Sequence, residues 1–179
     1  MDKGLLPRRY AKALYKFALD KGQTKEVYTV MQSIADAFVS NPDMQSVMSN
    51  PFVPQTEKHS LLTTAAGGKN EILDDFVKLM IKNNRIDIFR LVALEYIGLY
   101  RRENNIYHVE ITSAAALGSA DRTRLTSMVE RNLETGATAE CSFDVDPNLI
   151  GGFVVNIDNR RLDASVSNEL KELRLSLIK

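Results

Sequence analysis

The chain moves between two rhythms of apolar and polar residues, and the rhythm changes once. Up to about residue 104, apolar side chains recur every three or four positions, the spacing that lines one face of a helix. Pro7 suits a first helical turn, where its missing N–H costs little. Tyr10, Leu14 and Phe17 follow at helical spacing, and Gly22 stops the run. Thr24 is placed to cap a second helix bearing Val27, Met31, Ile34 and Phe38. Asn41-Pro42 ends that helix and opens a short third one with Met44, Val47 and Met48. "NPFVP" is a breaker, its prolines Pro51 and Pro54 flanking Phe52 and Val53. A fourth helix is predicted from Thr56 to Ala66, closed by Gly67-Gly68. A fifth runs from Asn70 to Lys82 with Leu73, Phe76, Val77 and Met80, and a sixth from Arg85 to about Arg102. Six short helices with short connections predict a compact bundle.

The period switches to two near "ENNIYHVEITSA". Tyr107, Val109 and Ile111 alternate with His108 and Glu110, as on a half-buried strand. Ser119 is placed to cap a helix with Leu125, Met128, Val129 and Leu133, which Gly136 ends. Ala139, Cys141, Phe143 and Val145 alternate again, and Phe153, Val155 and Ile157 make a third strand. Asp158-Asn159 supplies turn chemistry, and a last helix begins near Ser165. The expected architecture is α+β: a six-helix bundle over residues 1–104, then a β-α-β-β-α domain over 105–179.

Composition narrows the partners. Lys plus Arg is 23 and Asp plus Glu is 23, so no net charge draws the chain to nucleic acid or anionic lipid. The basic pairs Arg8-Arg9, Arg101-Arg102 and Arg160-Arg161 lack interleaved aromatics, and solvated surface or the rim of a protein contact is the plainer reading. One cysteine, Cys141, excludes an internal disulfide and fits a reducing compartment. No run approaches the roughly 20 apolar residues of a membrane span, so direct membrane insertion is not expected. "MDKGLLPRRYAKAL" has no apolar signal core.

Candidate chemistry is sparse. The two histidines, His59 and His108, are too few and too far apart in sequence for a His-based metal cluster. Cys141 and His108 on neighbouring strands can be imagined as nucleophile and base, although an apolar-face cysteine is more simply buried filler. In "DVDPNLIGG", Asp144, Asp146 and Asn148 match the first ligands of a calcium loop. Leu149 then stands where the loop needs Gly and Val155 where it needs Glu, so the match fails. Gly151-Gly152 lacks the Lys-Ser/Thr of a phosphate loop and precedes a strand, which reads as a close backbone approach or a bulge. Asp74-Asp75 reads as a solvated helix face. No catalytic residue, metal site or cofactor is expected.

Apolar surface is what remains. At about 100° per residue, the apolar side chains of the first helix from Tyr10 to Leu19 sweep roughly 240°, and those of the fifth from Ile72 to Ile81 roughly 200°. A surface helix needs only a ~100° stripe. Such helices are either the centre of the bundle or faced by the core on one side and a partner helix on the other. The last helix carries a narrower seam, Val166, Leu170, Leu173 and Leu177, at heptad-like spacing.

"VDPNLIGGFVVNIDNRRLDASVSNELKELRLSLIK" closely resembles the C-terminal signature of the delta subunit of F-type ATP synthases, whose mitochondrial relative is the oligomycin-sensitivity-conferring protein. "RRYAKALYKFALDKGQ" resembles that family's first helix, and the order of helices and strands matches along essentially the whole chain. The resemblance implies a non-catalytic stator subunit on the catalytic head, which keeps the head from turning with the rotor. It implies a groove on the first and fifth helices for the N-terminal helices of the alpha subunits, drawing here on Tyr10, Leu14, Phe17, Leu73, Phe76, Val77 and Met80. It implies that the C-terminal domain meets the b-type stalk subunits, with Leu149, Phe153, Val155, Val166, Leu170, Leu173 and Leu177 binding the stalk or supporting the surface that does. The seam of the last helix is expected to cover the sheet, because one helix beside a small sheet normally buries such a stripe. A peripheral place on the cytoplasmic face of a bacterial inner membrane follows from the same resemblance. A generic helical adaptor unrelated to ATP synthase is the rival reading.

Overall fold

The computed structural model describes residues 5–68, 70–133, 136–157 and 160–177, apart from the side chains of 172, 176 and 177. The expected turn at Asp158-Asn159 and the Leu177 side chain lie outside the described set. The chain divides into two compact units, Met1–Arg101 and Arg102–Lys179.

The first unit is helical: α1 (Leu5–Asp20), α2 (Thr24–Ser40), α3 (Asp43–Ser49), α4 (Gln55–Ala65), α5 (Glu71–Lys82) and, after a 3-10 turn at Ile86–Ile88, α6 (Phe89–Glu103). Gly22 ends α1 in the left-handed region (φ 68°). Its N–H donates to Leu19 and that of Gln23 to Ala18, the paired closure of a Schellman motif. This closure corrects the expected cap at Thr24. Thr24 is already helical, the cap position falls to Gln23 without a side-chain bond, and the Gln23 carbonyl accepts from Val27 N. One residue thus closes α1 and opens α2. At α5 the side chain of Asn70 does cap, accepting from Leu73 N at 3.0 Å.

The core joins Leu14, Met31, Ile34, Met48, Leu62, Met80, Phe89 and Tyr96, all fully buried. Burial pushes the Tyr96 phenol far above its ordinary value, and its hydroxyl donates to the Thr24 carbonyl at 3.2 Å. Lys58 is buried too. Its ammonium donates to the carbonyls of Met48 (2.9 Å) and Asn50 (2.7 Å), so a cation terminates the short α3 where the helix dipole is negative.

The second unit contains β1 (Ile106–Ser113), α7 (Ser119–Asn132), β2 (Thr138–Val145), a 3-10 turn at Pro147–Leu149, β3 (Gly152–Ile157), β4 (Arg160–Ser165) and α8 (Val166–Leu177). The strands lie in the order β2-β1-β3-β4. β1 and β2 are parallel, with α7 as the crossover, and the remaining pairs are antiparallel. The α+β class holds, and the sheet gains a strand the sequence pattern did not announce. "RRLDAS" carries a single large apolar residue, and a charged, polar edge strand has no apolar alternation to detect. Ser119 is corrected as well: it is the first helical residue, and Gly118 takes the cap position.

Register sorts the faces of the sheet. Val109, Ile111 and Val155 pack with Val129 of α7, joined by Tyr107, Cys141, Phe143 and Phe153 from the sheet, by Leu125 from the helix and by Leu133 just past its end.

Candidate interaction surfaces

Tyr10 sets the meeting of α1 and α5. Its ring stands edge-on to Phe76 with centroids 6.3 Å apart, and its hydroxyl accepts from Asn83 Nδ2 at 3.2 Å. Phe76 in turn stands edge-on to Phe89 at 6.1 Å. The seven residues expected in a partner groove therefore separate. Leu14, Leu73, Phe76, Val77 and Met80 are each 5% exposed or less and pack in the bundle core. Most of the α5 arc is consumed inside the bundle, whereas of the α1 arc only Ala11, Leu14 and Ala18 are buried.

Tyr10, half-buried, and Phe17, 40% exposed, do reach the surface. They share a flank of α1 with Leu6 and Ala13, at i, i+4, i+7 and i+11, and Tyr10 shows that this flank faces α5. Across from it, Leu79 of α5 is 45% exposed. Ala13 and Leu79 lay within the predicted arcs, but a wheel without neighbours cannot separate them from Leu14 and Met80. Lys21 places its ammonium 5.9 Å from the centre of the Phe17 ring.

α8 is the second surface. Its first turn is tied down closely. Val166 N donates to the Gly151 carbonyl at 3.0 Å, and Asn168 N donates to Ser165 Oγ at 3.2 Å, so Ser165 is the N-cap. Asp163 Oδ1 accepts from both Ser165 N (3.1 Å) and Ser165 Oγ (2.6 Å), while Oδ2 accepts from Arg161 at 3.0 Å. The hydroxyl of Ser165, its amide and then Arg161 hold the Asp163 carboxyl below its ordinary value.

The glycine pair explains itself here. Gly152 has φ +76°, and a Cβ on it would stand 2.1 Å from the Ala164 carbonyl oxygen across the hairpin. A Cβ on Gly151 would stand 3.0 Å from Val166 Cγ2. Gly152 makes the close backbone approach, to the end of β4, and Gly151 packs against the Val166 side chain at the start of α8.

Beyond that turn the seam does not cover the sheet, contrary to expectation. Val166 is 38% exposed, Leu170 52% and Leu173 59%, and Leu175, on the opposite side of the helix, is open as well. α7 already occupies the apolar sheet face, and α8 packs against β4 and the Pro147–Leu149 turn. Of the sheet-side residues expected to serve the stalk, Val155 is buried under α7, Phe153 is half-buried in the same cluster, and Leu149 sits in the turn beneath α8.

The chemical alternatives fail on geometry. His108 pairs in register with Glu140, and Cys141 with Val109, so imidazole and thiol point to opposite faces of the sheet. His59 Nε2 lies 2.5 Å from Asp74 Oδ1, and Lys78 Nζ lies 2.5 Å from Asp74 Oδ2. Asp74 thus bridges α4 and α5, which corrects the reading of Asp74-Asp75 as a merely solvated pair. The Lys78 ammonium, followed by His59, holds its carboxyl below the usual range. His59 and Asp74 line a cleft of about 420 Å³ between α4 and α5. Among the described residues, no three His, Cys, Asp or Glu side chains are grouped to hold a metal.

A scan against family models matches residues 6–177 to "ATP synthase delta (OSCP) subunit". The chain belongs to this family. Among curated delta subunits, that of Parabacteroides distasonis is 39% identical, over 99% of this chain and 98% of its own length. That of Phocaeicola vulgatus is 34% identical, over 98% and 95%. A chain from the Toxoplasma gondii mitochondrial ATP synthase hexamer superposes with a TM-score of 0.70 at 21% identity, covering 97% of this chain and 98% of that one, which establishes the shared fold. Membership of the delta family removes the unrelated adaptor as a reading.

Proposed function

We propose that this delta-family chain works as the non-catalytic stator link of an F-type ATP synthase, holding the catalytic head still so that rotation is coupled to ion translocation. The observation that carries this reading is the family match over residues 6–177 in a chain whose exposed apolar stripes lie in both of its units. The α1 flank of Leu6, Tyr10, Ala13 and Phe17, with Leu79 of α5, has the spacing to receive an amphipathic helix, and its partner is the N-terminal helix of an alpha subunit. The exposed face of α8 is presented to the b-type stalk subunits, where heptad spacing suits a helical partner. No helix among the described residues is long and apolar enough to cross a membrane, so attachment through the complex, at the cytoplasmic face of the bacterial inner membrane, supplies the location. The subunit needs no cofactor for this mechanical role.

The test is reconstitution of stripped membranes with a chain lacking residues 166–179. The expected outcome is ATP hydrolysis by the head without ion pumping. Full pumping at normal coupling removes α8 from the stalk connection.

A further inference from the structure

We infer that Asp163 is a positioning residue for the stalk contact: through Ser165 it fixes the direction in which α8 presents its leucine seam. The inference rests on the reading of that seam as the stalk-binding face.

The argument begins with donors and acceptors. A serine hydroxyl has one hydrogen and two lone pairs. Ser165 is 2% exposed, so water cannot readily serve it. By taking that hydrogen at 2.6 Å, Asp163 leaves the lone pairs of Ser165 Oγ directed at the N–H of Asn168. The same carboxylate oxygen takes the Ser165 amide, so the cap residue is held by both its backbone and its side chain. Arg161 on the other oxygen keeps the carboxylate ionised and oriented along β4. A second anchor, Val166 N to the Gly151 carbonyl, comes from the other side of the turn. Two anchors at one end define the axis of a helix whose further apolar side chains stay exposed.

Leverage makes the anchor matter. Leu173 lies seven residues beyond Val166, roughly 10 Å along the axis. A swing of about 20° at the cap moves Leu173 by roughly 3.5 Å, more than half the spacing of one helical turn. A partner helix with knobs-into-holes packing does not tolerate that displacement.

The experiment measures binding of the full chain to a soluble C-terminal fragment of the b-type stalk subunits by calorimetry, with amide exchange followed along residues 166–176. Asp163→Ala is expected to weaken binding by tenfold or more and to speed exchange in the first turn of α8. Asp163→Asn keeps the Oδ1 acceptor and loses the charge, so it is expected to recover most of the affinity. That rescue separates positioning from a general structural defect, and it gives a usable variant if the alanine chain folds poorly. Leu170→Asp is expected to abolish binding while leaving exchange at the cap unchanged. Unchanged affinity in Asp163→Ala alongside loss in Leu170→Asp would overturn the positioning role and leave the stalk reading intact. Unchanged affinity in Leu170→Asp would sink the stalk reading, and the inference with it.

Discussion

Phe17 and Phe76 were indistinguishable as candidates for the alpha-subunit groove, and substituting each in turn should now give opposite results. Phe76 is 5% exposed and lies between Tyr10 and Phe89. Truncation to alanine leaves a cavity that the two flanking rings cannot close, at a cost of about 3–5 kcal/mol. A helical unit of this size has only ~5–15 kcal/mol in total, so Phe76→Ala should shift or abolish its denaturation transition. Phe17 is 40% exposed. An aromatic residue buries ~150–250 Å² when fully covered, so a partner helix can remove at most roughly 60–100 Å² more from water at this site. At ~25 cal/mol per Å² that is about 1.5–2.5 kcal/mol, or about a 10- to 60-fold change in affinity. Phe17→Ala should therefore change the denaturation midpoint little and weaken binding of an alpha N-terminal peptide by that factor. Urea denaturation and calorimetry on the same two proteins decide the matter. Full affinity in a folded Phe17→Ala chain would remove this flank of α1 from the interface. An unaltered denaturation curve for Phe76→Ala would contradict its place in the core.

Other expectations follow from single contacts. Gly152→Ala places a Cβ against the Ala164 carbonyl oxygen in a left-handed conformation, and should destabilise the second unit by about 1–3 kcal/mol or more while the bundle's own transition stays in place, as tryptophan-free denaturation by circular dichroism would resolve. Asp74 is held below its ordinary carboxyl value of 3.8 in the folded chain, so its contribution is complete above that pH and is lost as pH falls through the lower folded value. Asp74→Asn should flatten the acid limb of the bundle's stability curve slightly, because the group is exposed; an acid limb identical to that of the unsubstituted chain refutes the bridge. The purified chain should neither bind nor turn over ATP, and turnover abolished by changing one of its own residues would end the stator reading.

Some of this molecule was legible before any coordinates. The helices of the first unit, and the strands bearing Val109, Phe143 and Val155, announce themselves because burying one face imposes a period on the sequence. Gly22 is equally plain, since the left-handed closure it makes depends on local sterics alone. The signature around Gly151-Gly152 was visible as a pattern, but its meaning was not: the Ala164 carbonyl that forbids a Cβ on Gly152, and the Val166 side chain that crowds Gly151, are near only after β3 and β4 have paired. Leu14 and Phe17 differ by 60° on a wheel, and only the neighbouring helices decide which is sealed and which is open. The strand "RRLDAS" was silent because an edge strand takes its hydrogen bonds from a neighbour and asks little of its own side chains. The seam of α8 looked like a sheet cover until α7 was seen to hold that place, since a local pattern states that a face is apolar and only the tertiary packing states whether the chain itself covers it.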